Sequence, residues 1–149
     1  MKKEEEIKRT DWLLFAIAAA GEKGISPVRL QKSLFLLSRM LPKVIGRNYY
    51  HFIPYNWGPF DVNVYRDVEL LIKNGFVHSL PSSAKRWFEY IITDKGAAYL
   101  ERIKTRAPKK GVEYLTEVVK WSLSVTFQQL LSFIYSEFPE FRKKSVFRY

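Results

Sequence analysis

Leu30, Leu34, Leu37 and Leu41 recur at the spacing of one helix face, and a Ser26-Pro27 pair precedes them. Serine accepts hydrogen bonds from the open amides of a helix start, and proline fits the first turn because its missing N–H is not needed there. The pattern predicts a helix from Ser26 to about Pro42, whose opposite side displays Arg29, Lys32, Arg39 and Lys43. Upstream, Asp11 can cap a first helix running to about Ala20, which the Gly21-Glu22-Lys23-Gly24 turn ends. Downstream, Tyr49 to Tyr55 is aromatic and β-prone, and Pro54 restricts it to a sheet edge or an extended segment. Asn56-Trp57-Gly58-Pro59 then turns the chain into a third helix capped by Asp61, with Val64, Tyr65, Val68, Leu71 and Ile72 as its buried stripe and Asn74-Gly75 as its stop.

Phe76 to Leu80 and Arg86 to Ile92 read as two strands joined by Pro81-Ser82-Ser83-Ala84-Lys85, a hairpin with a basic tip. Thr93 can cap a fourth helix from Asp94 to about Lys104. Helix, helix, helix, hairpin, helix is the order of a winged-helix domain, so the fold class expected is mainly α (α+β), a winged-helix-like domain with a small β-hairpin wing and a C-terminal helical extension. Ala107-Pro108-Lys109-Lys110-Gly111 is the one plausible linker, which divides the chain into residues 1–106 and 107–149. Beyond it, Val112, Leu115, Val118 and Val119 suggest a fifth helix, and Phe127, Leu130, Leu131, Ile134, Tyr135 and Phe138 a sixth that Pro139 ends. The broad apolar face of that last helix either folds back on the core or joins two copies of the chain in a homodimer.

With 149 residues, 47% of them apolar, the chain can build one hydrophobic core without metals or disulfides. It has no cysteine, which removes thiolate zinc sites and cysteine nucleophiles and fits a cytoplasmic location. The apolar run from Leu13 to Ala20 resembles the core of a signal peptide, but the mixed charges before it lack the positive excess such a signal needs, so it is read as a core helix. No apolar run approaches the roughly 18 residues of a membrane span, and no membrane association is expected. The net charge of +10 attracts polyanions. It is concentrated in two blocks, residues 23–47 with six basic side chains and no acidic one, and residues 85–110 with eight basic against three acidic.

Two segments carry resemblances. Tyr90-Ile91-Ile92-Thr93-Asp94-Lys95-Gly96 resembles the end of the wing in winged-helix repressors, which implies that the threonine caps the next helix and the glycine lets it pack closely. Leu30-Gln31-Lys32-Ser33-Leu34-Phe35-Leu36-Leu37, followed by Tyr55-Asn56-Trp57-Gly58-Pro59-Phe60-Asp61 and Val64-Tyr65, resembles the Panacea or SocA-type antitoxin domain of bacterial and phage toxin-antitoxin loci. That resemblance implies a domain that neutralises or tethers a partner protein and regulates its own operon, and that is not an enzyme. The chain departs from it in its basicity and its extra helical C-terminus.

No catalytic constellation stands out. His51 and His78 each lack a nucleophile or a ligand-spaced companion, and Asp67 and Glu69 point to different faces of their helix. No metal or other cofactor is expected. Two functions compete, a protein-binding antitoxin or adaptor and a DNA-binding regulator. The first would use Tyr55, Trp57, Phe60, Asn63 and Arg66, unless the rings of the Trp57 to Asp61 turn serve only as a structural latch. The second would use Arg29, Lys32, Arg39, Lys43, Lys85 and Arg86 on duplex DNA, mainly through phosphates, because the third helix is not basic.

Overall fold

A computed structural model describes residues 6–81 and 88–146. The chain is mainly α with a minor β component, as the periodicities predict. Its elements run α1 (Arg9–Ala20), α2 (Pro27–Met40), α3 (Pro42–Ile45), β1 (Ile53–Tyr55), β2 (Gly58–Phe60), α4 (Val62–Lys73), β3 (Val77–Pro81), β4 (Phe88–Ile92), α5 (Asp94–Ile103), α6 (Lys109–Ser124) and α7 (Phe127–Glu137), with 3-10 turns at Gly21–Lys23 and Pro139–Arg142. Among the described residues no helix is long and apolar enough to cross a membrane.

The expected caps form at three helices. Ser26 caps α2 through the Arg29 amide, Asp61 caps α4 through the Asn63 amide, and Thr93 caps α5 through the Gly96 amide. Asp11 does not cap α1 as expected. The helix begins earlier, at Arg9, and the Asp11 carboxylate reaches back to the Lys8 amide at 2.9 Å while also accepting the Tyr99 hydroxyl at 2.7 Å. Pro42 ends α2 but opens the single turn of α3, since proline suits a helix's first position.

The strand expected over Tyr49 to Tyr55 is confined to Ile53–Tyr55, because Tyr49 and Tyr50 turn inward instead. The Tyr49 hydroxyl donates to the Leu34 carbonyl at 2.8 Å, and the Tyr50 hydroxyl donates to Asp67 at 2.6 Å. Asp67 also receives Arg9 at 2.9 Å, which ties α1 to α4. Strand β1 pairs antiparallel with β2 across the Asn56-Trp57 turn, with Tyr55 opposite Gly58, Pro54 opposite Pro59 and Ile53 opposite Phe60. In such a ladder every second pair exchanges no hydrogen bonds, and that is where two facing prolines are tolerated.

Strands β3 and β4 form the expected hairpin, and Ile25 extends its edge by a bridge to Tyr90. The tip residues Lys85 and Arg86 lie outside the described residues. After the hairpin, an added Cβ at Gly96 would sit 2.3 Å from the Phe76 carbonyl oxygen, so the helix approaches the strand start as only glycine permits.

The described part of the C-terminal extension, residues 107–146, folds back on the described residues before it. Leu115 and Val119 of α6 are fully buried in the main core with Trp12, Leu13, Leu34 and Val68. A second core joins Phe35 and Leu36 of α2 to Leu130, Leu131, Ile134 and Tyr135 of α7 and to Phe141. Helix α2 therefore lies between two apolar clusters, and every residue from Leu30 to Leu37 is buried.

Gly96→Ala tests the closest of these approaches. Overpacking of about 1 to 3 kcal/mol is expected to outweigh the roughly 1 kcal/mol that alanine gains over glycine in a helix. Thermal unfolding should show a lower midpoint; an unchanged or higher one would mean that α5 moves off the Phe76 carbonyl without cost.

Candidate binding site at the β1–β2 turn

Burial of α2 on all sides forces its polar side chains to find partners inside the protein. The Gln31 carboxamide donates to the Asp61 carbonyl at 2.9 Å and accepts the Asp61 amide at 3.1 Å, a reciprocal pair closed by one side chain. The Asp61 carboxylate then takes the His51 amide and the Asn63 amide, each at 2.8 Å, so the same residue pins the approach to β1 and starts α4. Lys32 donates from Nζ to the Pro59 carbonyl at 3.3 Å. Gly58 completes the close fit with φ of +90°, where an added Cβ would meet Leu131 at 3.0 Å and Lys32 at 3.3 Å. Its conformation is thus one that only glycine takes readily.

Lys32 is a correction to the surface role expected of it. Its side chain is fully buried, at 2% exposure, where the β1–β2 turn packs over α2 at Gly58 and Pro59, with Leu131 and Tyr135 of α7 beside Gly58. Burial pulls its pKa down from the ordinary 10.5 to about 7, since a charged amine loses its hydration there.

The outward face of the turn has the opposite character. Ile53, Tyr55 and Trp57 are 56%, 46% and 43% exposed on one short ribbon. Tyr55 stacks on the half-buried Phe60 at 4.8 Å, and Phe60 meets Tyr65 edge-on at 5.4 Å, which carries the aromatic surface onto α4. Arg66 is exposed on that helix and Asn63 is half-buried. The turn is therefore both latch and display, with Gly58 and Pro59 inward and the rings of Tyr55 and Trp57 outward. Trp57 also lies 6.1 Å from Phe127 and borders a groove of about 500 Å³ with Pro27, Val28, Arg29, Glu89 and Leu123.

The cationic residues expected on α2 do not form one face. Arg29 donates to the carbonyls of Ser122 and Val125, tying the start of α2 to the end of α6, and burial lowers its pKa against the opposing pull of Glu89. Arg39 covers the rings of Phe35, Phe138 and Phe141 at 5.3, 5.8 and 5.2 Å and lies 3.9 Å from Glu140. Arg39 keeps an exposed side chain, and Lys43 stands exposed on the separate turn α3. His51 and His78 are both exposed, and among the described residues no group of three or more His, Asp or Glu side chains is placed to hold a metal ion.

The sequence reading missed Gln31 as the organiser of this region. Its signal was a run of three polar residues, Gln31, Lys32 and Ser33, inside a helix whose later partner, the broad apolar face of α7, was already visible. No protein-family model matches the chain, and a search of curated proteins also finds no match.

The lowered pKa of Lys32 predicts a pH dependence. Between about pH 7 and about pH 10 the unfolded chain keeps a proton on Lys32 that the folded chain has released, so stability rises with pH by up to about 1.4 kcal/mol per unit. Above that window the slope reverses, because burial raises the pKa of Tyr49 and Tyr50 and only the unfolded chain ionises them readily. Urea midpoints across the window should rise for the wild type and stay flatter for Lys32→Met; identical profiles would contradict the buried, near-neutral amine.

Proposed function

We propose that the chain is a non-enzymatic binding module that neutralises or tethers a partner protein, in the manner of an antitoxin. The observation that carries this reading is the exposure of Ile53, Tyr55 and Trp57 on a ribbon whose backbone is clamped from beneath by Gln31 and Lys32. Large rings held in place before binding lose little entropy when a partner covers them, and such rings dominate binding energy at protein interfaces. The resemblance of the Leu-Gln-Lys helix and the aromatic-Gly-Pro turn to the Panacea or SocA-type domain supports the same reading, since these motifs are the two halves of the clamp.

A second reading, a winged-helix-like DNA-binding protein, is favoured by the net charge of +10. It relies on phosphate contacts, because α4, in the position of a reader helix, presents Glu69 as well as Arg66 and Lys73.

Tyr55→Ala combined with Arg66→Glu tests the first reading. Both side chains are exposed, so the thermal midpoint should stay within about 2 °C of the wild type. Loss of one anchor ring is expected to cost about 2 kcal/mol, or roughly 30-fold in affinity. In the native host the wild type should co-purify a stoichiometric partner and rescue growth when that partner is expressed, and the variant should do neither. Full rescue by the folded variant, or no partner for the wild type, would contradict the proposal.

A further inference from the structure

The two basic blocks of the sequence are separated along the chain, yet the packing of α6 brings their far ends together. Helices α2 and α6 run antiparallel, since Arg29 at the start of α2 bonds to Ser122 and Val125 at the end of α6. Their other ends meet where an added Cβ at Gly111 would lie 2.6 Å from Val44 and 2.7 Å from Trp12. That contact sets the start of α6, the turn α3 and the start of α1 side by side. Tyr99 of α5 joins them through its bond to Asp11, and Arg102 lies over the Tyr99 ring at 5.7 Å.

Lys43 and Arg47 from the first block, and Arg102, Arg106 and Lys110 from the second, are all exposed on these neighbouring elements. The acidic groups there are partly occupied. Among the described residues, Glu101 pairs with Lys104, Glu113 lies 3.9 Å from Lys109, Asp11 and Asp67 are buried in their own bonds, and Glu6 is exposed. Between α1 and the segment after α3 lies an open hollow of about 940 Å³, lined among others by Arg9, Arg47, Asn48 and His51.

We infer that this end of the molecule is a contact surface for the phosphate backbone of duplex DNA. The inference rests on the DNA-binding reading and moves its contacts away from α2, where Lys32 is buried, Arg29 bonds to the end of α6 and Arg39 lies over the rings of Phe35, Phe138 and Phe141. A duplex fits better than a single strand. Sequence-tolerant single-strand sites add exposed rings on which bases stack, whereas the exposed aromatic residues among those described, Tyr55, Trp57, Phe88 and Phe133, all lie on other elements.

The test is fluorescence anisotropy of the full chain with a labelled random-sequence duplex of about 20 base pairs, titrated from about 50 mM salt upward. One set carries Arg47→Glu, Arg106→Glu and Lys110→Glu; a control set carries Lys23→Glu, Lys120→Glu and Lys143→Glu, exposed residues with the same total charge change. The first set should bind at least about tenfold more weakly and lose about 0.9 from the salt slope for each phosphate contact removed, while the control set changes little. Thermal melts check folding, and Arg47→Ala and Lys110→Ala singly repeat the measurement if the triple variant unfolds. Equal losses in the two sets, or tighter binding of the single strand, would overturn this surface while leaving DNA binding intact. No binding by the wild type at about 50 mM salt would overturn the DNA-binding reading itself.

Discussion

The reciprocal hydrogen bonds between the Gln31 carboxamide and the backbone of Asp61 fix the relation between the buried helix α2 and the ribbon that presents Ile53, Tyr55 and Trp57 to solvent. Because Gln31 is fully buried, neither the carboxamide nor the Asp61 backbone has water as an alternative partner. Loss of the side chain would leave the Asp61 amide unpaired, at about 1 to 3 kcal/mol, while the Asp61 carbonyl would keep only the Val64 amide at 3.1 Å. Asp61 passes the constraint on to His51 on one side and to the first turn of α4 on the other. Lys32 adds the Pro59 carbonyl one residue along. The Leu-Gln-Lys helix and the Gly-Pro-Phe-Asp turn are therefore complementary halves of one clamp, and their spacing in the sequence reflects hydrogen bonding as much as packing.

The antiparallel course of α2 and α6 gives the molecule two chemically different ends. At one, the start of α2, the end of α6 and the start of α7 meet near Trp57 in an apolar groove bordered by Arg29 and Glu89. At the other, α3 and the starts of α1 and α6 gather exposed cations around Gly111. Protein-protein contact favours preordered rings with few charges, whereas a phosphate backbone favours separated cations without stacking platforms. The two proposed activities therefore draw on different surfaces.

Much of this architecture was legible because it rests on local rules. The leucine spacing of α2 and the caps at Ser26, Asp61 and Thr93 each follow from the stereochemistry of a few neighbouring residues, whereas the close approach at Gly96 was expected only from the resemblance to a winged-helix wing. What was not legible depends on long-range packing. Lys32 reads as a surface residue as long as α2 is taken to have a wet side, but the β1–β2 turn, and α7 behind it, occupy that side. The β1–β2 pairing was hidden by Pro54 and Pro59, which argue against strands until they are seen facing each other in a pair that needs no amide. The cationic end escaped notice because charge density along the chain does not reveal which helix ends meet.

The central claim is that Gln31 holds the turn in place, and amide hydrogen exchange reads it most directly. In the wild type the Asp61 amide should exchange as slowly as those of the α2 core, since it is buried and bonded to Gln31. In Gln31→Leu, protection at Asp61 and His51 should fall by at least about tenfold while amides in the middle of α1 and α6 keep theirs. Undiminished protection at Asp61 and His51 in a folded Gln31→Leu variant would contradict the account.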